Sequence, residues 1–253
     1  MLQLDNFEGQ VIAITGAGSG FGKLLAETLS ASGAKLVLSD VNEEALREVK
    51  SALSGDHKAL VCDVTREDDV AGMISAASAE HGRLDILVNN AGLGSPPKLL
   101  TEVTEEELDL NYNVNTKGVF FGIKHGIRQM LAQDPKGGVI LNVSSMAGIG
   151  GAPLLGPYAA AKHGVVGLTK TAACEFARHG VRVNAICPYF SPTPLVTQDE
   201  EFAARVKGMA ANSPMARMGD PQEIVTVMLM LMSPANSFMN GQAIAVDGGM
   251  SAI

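Results

Sequence analysis

The sequence predicts an α/β fold: a doubly wound parallel sheet of about seven strands with helices on both faces. Short apolar segments alternate with longer helical segments along almost the whole chain, and right-handed crossovers then build the sheet. Most apolar segments are continuous rather than alternating in polarity, which is typical of parallel strands buried on both faces. The predicted strands are 11–15, 35–39, 59–62, 86–88, 139–143, 183–186 and 243–246.

Helical segments separate these strands. The segment that begins at Pro157 lacks internal proline and repeats apolar residues at three- and four-residue intervals, which is the period of a helix. The predicted helices are 20–32, 43–53, 67–81, 104–133, 157–179 and 221–232.

No linker rich in Pro, Gly or Ser divides the chain, so residues 1–253 are predicted to form a single domain. Segment 188–214 interrupts the alternation of strands and helices with four prolines. Long irregular segments after a parallel strand often cover a binding site, and we therefore expect a substrate lid there.

The helix predicted at 221–232 is apolar nearly all round from Ile224 onward. Such a helix is buried on more than one side. A subunit interface and a deep core within one chain both explain the pattern, and the sequence favours the interface.

Composition and charge narrow the class of protein. With 46% hydrophobic and 18% charged residues the chain can bury a large core, and its net charge of -8 argues against a nucleic-acid or membrane partner. Residues 1–8 show no signal peptide, and no apolar run approaches the roughly 20 residues that span a bilayer. Cys62, Cys174 and Cys187 are widely spaced without a Cys-x-x-Cys pair, so we expect no disulfide, no metal site and a cytoplasmic location.

Tyr158 and Lys162 form a candidate catalytic pair. They lie four residues apart on a predicted helix and therefore share one face. A free tyrosine titrates near ~10, and a neighbouring cation favours the phenolate. We therefore expect Lys162 to lower the pKa of Tyr158 toward neutral pH, where the phenol can act as acid or base. Taken alone, the pair is more often part of an ordinary helix with one Tyr and one exposed Lys.

A glycine-rich turn after the first strand predicts a dinucleotide site. Gly16, Gly20 and Gly22 let the backbone approach a pyrophosphate at a helix amino terminus. Asp40 ends the second strand, where an acidic residue can hydrogen-bond to the adenosine ribose, although it could equally be a turn residue or helix cap. At about 4 Å its charge would repel the 2′-phosphate of NADP by about 4 kcal/mol at an effective dielectric near ~20. We therefore expect NAD in preference to NADP.

In combination these motifs resemble the short-chain dehydrogenase/reductase family, in its compact branch. The resemblance extends from Thr15 to Gly248 and includes the glycine motif, an Asn-Asn-Ala-Gly segment, a central-helix asparagine, and a serine thirteen residues before the tyrosine. The residues that carry it are Thr15, Gly16, Gly20, Gly22, Asp63, Val64, Asn89, Asn90, Ala91, Gly92, Asn115, Ser145, Tyr158 and Lys162.

The resemblance implies a Rossmann-type fold, a homotetramer and hydride transfer to or from nicotinamide. Tyr158 would exchange a proton with the substrate oxygen, and Lys162 would hold the nicotinamide ribose. Ser145 would hydrogen-bond to the substrate oxygen as charge develops, and Asn115 would hold a water that links Lys162 to solvent. The implied cofactor contacts are Gly16, Ser19, Gly20, Phe21, Gly22, Asp40, Asp63, Val64, Asn90, Ala91, Gly92, Tyr158, Lys162, Pro188 and Thr193.

The candidate substrate residues are mostly apolar. The family usually has glycine after Pro188, where this chain has Tyr189, and we expect the tyrosine side chain to form a wall of the cleft. The absence of Arg or Lys from the set favours a hydrophobic or cyclic secondary alcohol and its ketone. The expected contacts are Ser145, Met146, Leu155, Tyr189 and Phe190, with Gly94, Ile149, Leu154 and Leu195 as further lining residues.

Two alternatives stay open. A 3-oxoacyl-[acyl-carrier-protein] reductase would share the fold, but this activity normally uses NADPH, and Asp40 and Cys174 count against it. A non-catalytic dinucleotide-binding protein with a protein partner would typically lack the Tyr or the Lys. The sequence thus predicts an enzyme: an NAD-dependent alcohol dehydrogenase or ketoreductase that acts on a small molecule.

Overall fold

The computed structural model describes residues 7–253. Most of the segment in which we expect no signal peptide, residues 1–6, lies outside the described residues. The strands are β1 Val11–Thr15, β2 Lys35–Asp40, β3 Lys58–Val61, β4 Ile86–Asn89, β5 Gly138–Val143, β6 Val181–Pro188 and β7 Ala243–Val246. They form one parallel sheet in the order β3-β2-β1-β4-β5-β6-β7. The predicted doubly wound fold with seven strands is confirmed.

Helices cover both faces of this sheet. Within residues 7–253, no helix is both long enough and apolar enough to cross a lipid bilayer. The helices are α1 Gly20–Ala31, α2 Glu43–Ala52, α3 Glu67–His81, α4 Glu105–Tyr112, α5 Gly118–Ala132, α6 Gly156–Phe176, α7 Pro194–Thr197, α8 Glu200–Ala211 and α9 Pro221–Met232.

The sheet separates two apolar clusters. On one face Ile12 and Leu36 pack with α1 and α9, and on the other face Ala13 and Val37 pack with α3, α5 and α6. Neighbouring residues of a strand point to opposite faces, so both must be apolar when both faces are covered. This burial explains why the strands read as continuous apolar runs.

The predicted helix 104–133 is two helices. A single π-helical turn, Asn113–Lys117, joins α4 to α5. Such turns insert one residue into the helical repeat and are frequent at functional sites. The turn carries Asn115, which is fully buried.

From its prolines we predicted that segment 188–214 is irregular, and this prediction is wrong. It contains α7 and α8, and the prolines lie outside the interior of both helices. Asp199 begins α8 by accepting a hydrogen bond from the backbone of Phe202 at 2.8 Å, and Val206 is buried beneath the helix. The sequence does contain a polar N-cap residue and apolar residues at helical spacing for α8, but we gave more weight to the prolines.

Helix α9 is buried mainly within its own chain. Ile224, Val225, Met228 and Leu231 belong to the cluster that contains α1. The other apolar residues of the helix, such as Val227, are partly buried against the same cluster. Burial within the core of one chain therefore explains most of the apolar residues of α9. A subunit interface, which the sequence favoured, is not required to explain them.

Candidate active site

The crevice at the carboxyl ends of the strands lies where the chain changes direction across the sheet. From β1 the chain builds outward through β2 and β3, and it then returns to place β4 on the other side of β1. Ligands of open α/β sheets bind at this switch point. The turns after β1, β4 and β5 all open into it.

The glycine-rich turn after β1 is closely packed. Gly16 and Gly20 have φ of +64° and +53°, a region that favours glycine. A Cβ on Gly22 would overlap the carbonyl oxygen of Gly16, so helix α1 can begin directly against the turn only with glycine there. Ser19 precedes α1 without a side-chain cap, so the first N–H groups of the helix are not capped by a side chain. The turn and helix start fit a pyrophosphate.

Two of the sequence motifs hold each other in place. The Thr15 hydroxyl accepts hydrogen bonds from the backbone N–H groups of Asn90 and Ala91, each at 3.0 Å. The Asn90 side chain donates to the carbonyl groups of Thr15 and Gly16, each at 2.9 Å. The Asn-Asn-Ala-Gly segment therefore supports the glycine-rich turn.

Asp40 lies beside the same turn. Its carboxylate accepts hydrogen bonds from the backbone N–H of Gly18 at 2.8 Å and of Asn42 at 2.9 Å. The acidic group is thus held at the end of β2, in the crevice, and is not a helix cap, because Asn42 caps α2. The position fits a residue that meets the adenosine ribose.

The remaining predicted cofactor residues surround this turn. Val64 packs against α5 where Gly118 leaves room for it, and Asp63 accepts hydrogen bonds from the backbone and hydroxyl of Thr65. Thr193 is buried, and its side chain approaches Gly20. Residues from β3, β4 and the start of segment 188–214 thus converge on the dinucleotide crevice.

Ser145 and Tyr158 meet on the other side of the crevice. The two side chains lie close enough for the Ser145 hydroxyl to act on the pKa of Tyr158. Ser144 is directed elsewhere, because it is buried and donates to the Lys162 carbonyl at 3.0 Å. The thirteen-residue interval therefore selects the serine that the structure brings to the tyrosine.

Lys162 lies beneath the tyrosine. Its ammonium donates to the Val143 carbonyl at 2.8 Å and lies 5.6 Å from the Tyr158 ring centroid. Only 3% of the residue is exposed. Burial lowers the pKa of Lys162 to about 8, partly opposed by Cys187.

The pKa of Tyr158 does not shift as the sequence predicted. Burial raises it above its usual range, and the nearby Ser145 hydroxyl only partly opposes this effect. Desolvation disfavours the phenolate more than the surroundings stabilise it. The phenol therefore holds its proton at neutral pH in this structure.

The Asn115 side chain makes more hydrogen bonds within the protein than we expected. Its amide exchanges hydrogen bonds with the backbone of Leu93, at 3.0 and 2.9 Å, and donates to Asn111 at 3.1 Å. Both amide hydrogens are used, which leaves one lone pair on the oxygen for a relay water. Its main observed contact is with the loop that follows β4.

The predicted substrate-binding residues lie in the segments that follow β4, β5 and β6. The 3₁₀ turn Met146–Gly148 follows Ser145, and Leu155 immediately precedes α6. Leu154 has φ of +70°, a strained conformation of a kind that often marks functional sites. The predicted neighbours Ile149 and Leu195 are exposed, at 38% and 46%.

Tyr189, which we predict to form a wall of the substrate cleft, also borders a separate cavity. It lines a cavity of about 100 Å³ together with Met215, Ile224 and Val246, and none of the residues lining that cavity belongs to the Ser145–Tyr158 pair. Its ring lies 4.5 Å from that of Phe190. Only two described non-glycine residues have positive φ, and Tyr189 is not one of them, so a side chain is tolerated where glycine is usual.

Two residues of the site were missed. Cys187 is fully buried at the end of β6, where burial raises the pKa of its thiol and the nearby Ser144, Ser145 and Lys162 oppose this effect. Asn111 lies one helical turn before Asn115 and holds its amide. The position next to Pro188 and the four-residue spacing were the available signals.

Known proteins are similar to this chain over almost its whole length. The family model described as enoyl-(acyl carrier protein) reductase matches residues 16–251. A 2,5-dichloro-2,5-cyclohexadiene-1,4-diol dehydrogenase of Sphingobium indicum is 36% identical, with 99% of this chain and 100% of that protein covered. A cis-4-hydroxycyclohexanecarboxylate dehydrogenase of Sinomonas cyclohexanicum is 39% identical, with 98% of both covered. A 3-oxoacyl-[acyl-carrier-protein] reductase of Thermotoga maritima is 39% identical over 96% of this chain and 98% of its own length.

Solved structures are similar over the same length. Levodione reductase superposes with a TM-score of 0.93 at 35% identity, covering 97% of this chain and 99% of that one. A 3-ketoacyl-(acyl-carrier-protein) reductase from Brucella melitensis, complexed with NADH, superposes with a TM-score of 0.89 at 36% identity, with the same coverage.

Proposed function

The chain belongs to the short-chain dehydrogenase/reductase family, and on that premise we propose that it interconverts a cyclic secondary alcohol and its ketone with NAD(H). The proximity of Ser145 to Tyr158, beside the buried Lys162, carries the proposal. It brings a proton donor and an oxyanion-stabilising group together beside a dinucleotide crevice.

In ketone reduction Tyr158 donates its proton to the substrate oxygen. Its raised pKa keeps the phenol protonated at neutral pH, which suits this direction. Ser145 hydrogen-bonds to the same oxygen and stabilises the negative charge that develops on it. The dinucleotide, when bound, supplies or accepts the hydride.

Lys162 would hold the ribose next to the nicotinamide, and its ammonium lies 5.6 Å from the centroid of the Tyr158 ring. Its pKa of about 8 leaves the ammonium largely protonated at neutral pH. The cation therefore favours the phenolate that remains after proton transfer. Asn115 fastens the loop at Leu93 and offers its free lone pair to a relay water.

We propose NAD rather than NADP because of Asp40. The carboxylate is fixed by Gly18 and Asn42, so it cannot easily turn away from a 2′-phosphate. The neighbour structure from Brucella holds NADH.

A cyclic substrate is supported by the apolar lining and by the relatives. Two relatives are named for ring alcohols. Lys98 is the basic residue close to the predicted lining, and it is paired with Glu107, so it does not provide a free charge for a carboxylate or phosphate.

The rival activity is reduction of a 3-oxoacyl group on acyl carrier protein. The name of the family model and of the Thermotoga relative favour it. The exposed Cys174 opposes it, because the rival activity needs a basic docking surface. Asp40 does not separate the two activities, because the 3-ketoacyl-(acyl-carrier-protein) reductase from Brucella is complexed with NADH.

One experiment tests the proposal. We expect NADH oxidation with cyclic ketones, slower turnover with NADPH, and little activity on a carrier-bound 3-oxoacyl group. Tyr158→Phe should lower kcat by about 10³-fold or more while the NADH dissociation constant changes little, because the phenyl ring keeps the packing and loses the proton. Full activity in this variant would refute the assigned donor, and exclusive use of NADPH and carrier would favour the rival.

We also propose a cytoplasmic homotetramer. Apolar residues on α4 and α5 are unusually exposed, with Leu108 at 45%, Tyr112 at 55% and Phe120 at 43%. Leu108 and Tyr112 are four residues apart and share a helix face, which supports an interface there. The three cysteines are free thiols, as suits a reducing compartment.

A further inference from the structure

The loop between β4 and α4 contains a hydroxyl without a partner. Ser95 Oγ is buried and makes no hydrogen bond with any residue from 7 to 253. A buried hydroxyl that forms no hydrogen bond is costly, and folded proteins rarely leave one unsatisfied. The hydroxyl is therefore suited to a partner that arrives with a ligand.

The loop is held firmly on both sides of Ser95. Before it, Leu93 exchanges two backbone hydrogen bonds with the Asn115 amide. After it, the Lys98 N–H donates to the Leu154 carbonyl at 2.9 Å, and the Lys98 side chain pairs with Glu107. Ser95 cannot readily move to find a partner within the protein, so the position of its hydroxyl is preorganised.

These contacts place Ser95 between the reacting groups and segment 188–214. A Cβ on Gly92 would lie 3.4 Å from the Lys162 ammonium, and a Cβ on Gly94 would lie 3.6 Å from Leu195. Three residues span at most about 10 Å, so Ser95 is within reach of a substrate that is seated beside Tyr158. Leu195 contacts the loop at the neighbouring residue, so substrate entry would displace this contact.

We propose that Ser95 Oγ hydrogen-bonds to a second oxygen of the substrate, across a six-membered ring from the reacting carbon. The proposal rests on the proposed function and narrows its substrate class to rings oxygenated at positions 1 and 4. The name of one relative describes such a ring, a 2,5-cyclohexadiene-1,4-diol. A second relative is named for a 4-hydroxycyclohexanecarboxylate, whose ring carbon opposite the hydroxyl bears a carboxyl group instead. A serine hydroxyl both donates and accepts, so it can pair with a ketone or a hydroxyl.

The test compares two ketones with purified enzyme and NADH. Cyclohexane-1,4-dione carries the second oxygen and cyclohexanone lacks it. We expect Ser95→Ala to lower the ratio of kcat/KM for the dione over that for cyclohexanone by about tenfold, mainly through KM, because one hydrogen bond is lost. The intrinsic difference in reactivity between the ketones cancels in this ratio.

Thr101→Ala is the matched control, because it removes an exposed hydroxyl from the same loop. It should leave the ratio unchanged. The thermal unfolding midpoint of ligand-free Ser95→Ala should not fall, since the hydroxyl has no partner to lose. A fall of several degrees would show a partner within the protein and contradict the proposal.

The outcomes separate this proposal from the proposed function. If the wild type reduces both ketones and Ser95→Ala leaves the ratio unchanged, the hydroxyl meets water rather than substrate and the Ser95 assignment is wrong. If the wild type reduces neither these ketones nor other cyclic ketones, the proposed function fails and the Ser95 assignment fails with it.

Discussion

At the scale of single residues, the site depends on a cation kept in an unfavourable place. Lys162 is buried, and its ammonium donates a hydrogen bond to the backbone carbonyl of Val143, which carries no net charge. Removing a charge from water without a counter-charge is costly, which is the reason its pKa falls to about 8. The residue therefore serves the chemistry at the expense of stability.

Replacing Lys162 should expose this conflict. Because folding lowers the pKa from 10.5 to about 8, the cost of burying the charge is fully present below pH 8 and disappears as the pH rises toward 10.5. We expect Lys162→Met to abolish turnover and, at pH 7, to unfold at a higher denaturant concentration than the wild type. The difference in free energy of unfolding should shrink by about 2 kcal/mol between pH 7 and pH 10.

Chemical denaturation of both proteins at the two pH values measures this difference, and other titrating groups cancel in the comparison. A difference that is independent of pH would mean that the lysine is not desolvated in the folded protein.

The sequence predicted which side chains lie near one another better than it predicted their pKa values. The interval to Tyr158 was enough to choose Ser145 over Ser144, because chain spacing determines which strand-end residue meets the helix. The direction of the Tyr158 pKa shift was wrong, because a sequence shows a neighbouring charge but not the loss of solvent around the phenol. Likewise, only the folded loop shows that the Ser95 hydroxyl is buried without a hydrogen-bond partner.

At the scale of elements, the β1–α1 turn is the most demanding junction. We expect Gly22→Ala to destabilise the fold by about 2 kcal/mol or more and to weaken NADH binding, because the new methyl group overlaps the Gly16 carbonyl. Gly72→Ala is the control within helix α3, where a Cβ meets nothing within 4 Å, and it should stabilise by about 0.5–1 kcal/mol.

Thermal unfolding and a fluorescence titration with NADH measure the two effects. Equal behaviour of the two variants would contradict the tight packing between helix α1 and the turn.

Two elements were not predicted from the sequence, for different reasons. The π-helical turn at Asn113–Lys117 has helical composition, and only the tertiary contact of Asn115 with Leu93 shows what the inserted residue provides. Helix α8 was obscured because the prolines of segment 188–214 were read as breaking the whole segment, although they leave residues 200–211 free.

At the scale of the whole molecule, the sheet order follows from the alternation of continuous apolar strands with helices, which leaves few allowed crossovers. The pattern of apolar residues in the sequence is a weaker guide to which surfaces form subunit interfaces. Helix α9 looked like an interface in sequence yet is buried in its own chain, whereas the exposed apolar residues of α4 and α5 lie on helices of mixed polarity. Burial within one chain must be known before the remaining apolar surface can be assigned to a partner.

The last prediction concerns that surface. Phe120 is 43% exposed on α5, and a charge there would have to be desolvated if α5 packs against another copy. We expect Phe120→Glu to convert the proposed tetramer into a smaller species in size-exclusion chromatography with light scattering. Val61→Glu is the control, because Val61 is 50% exposed on the edge strand β3 and should leave the mass unchanged. A tetramer that persists in Phe120→Glu would place the interface elsewhere, and a monomeric wild type would refute the assembly itself.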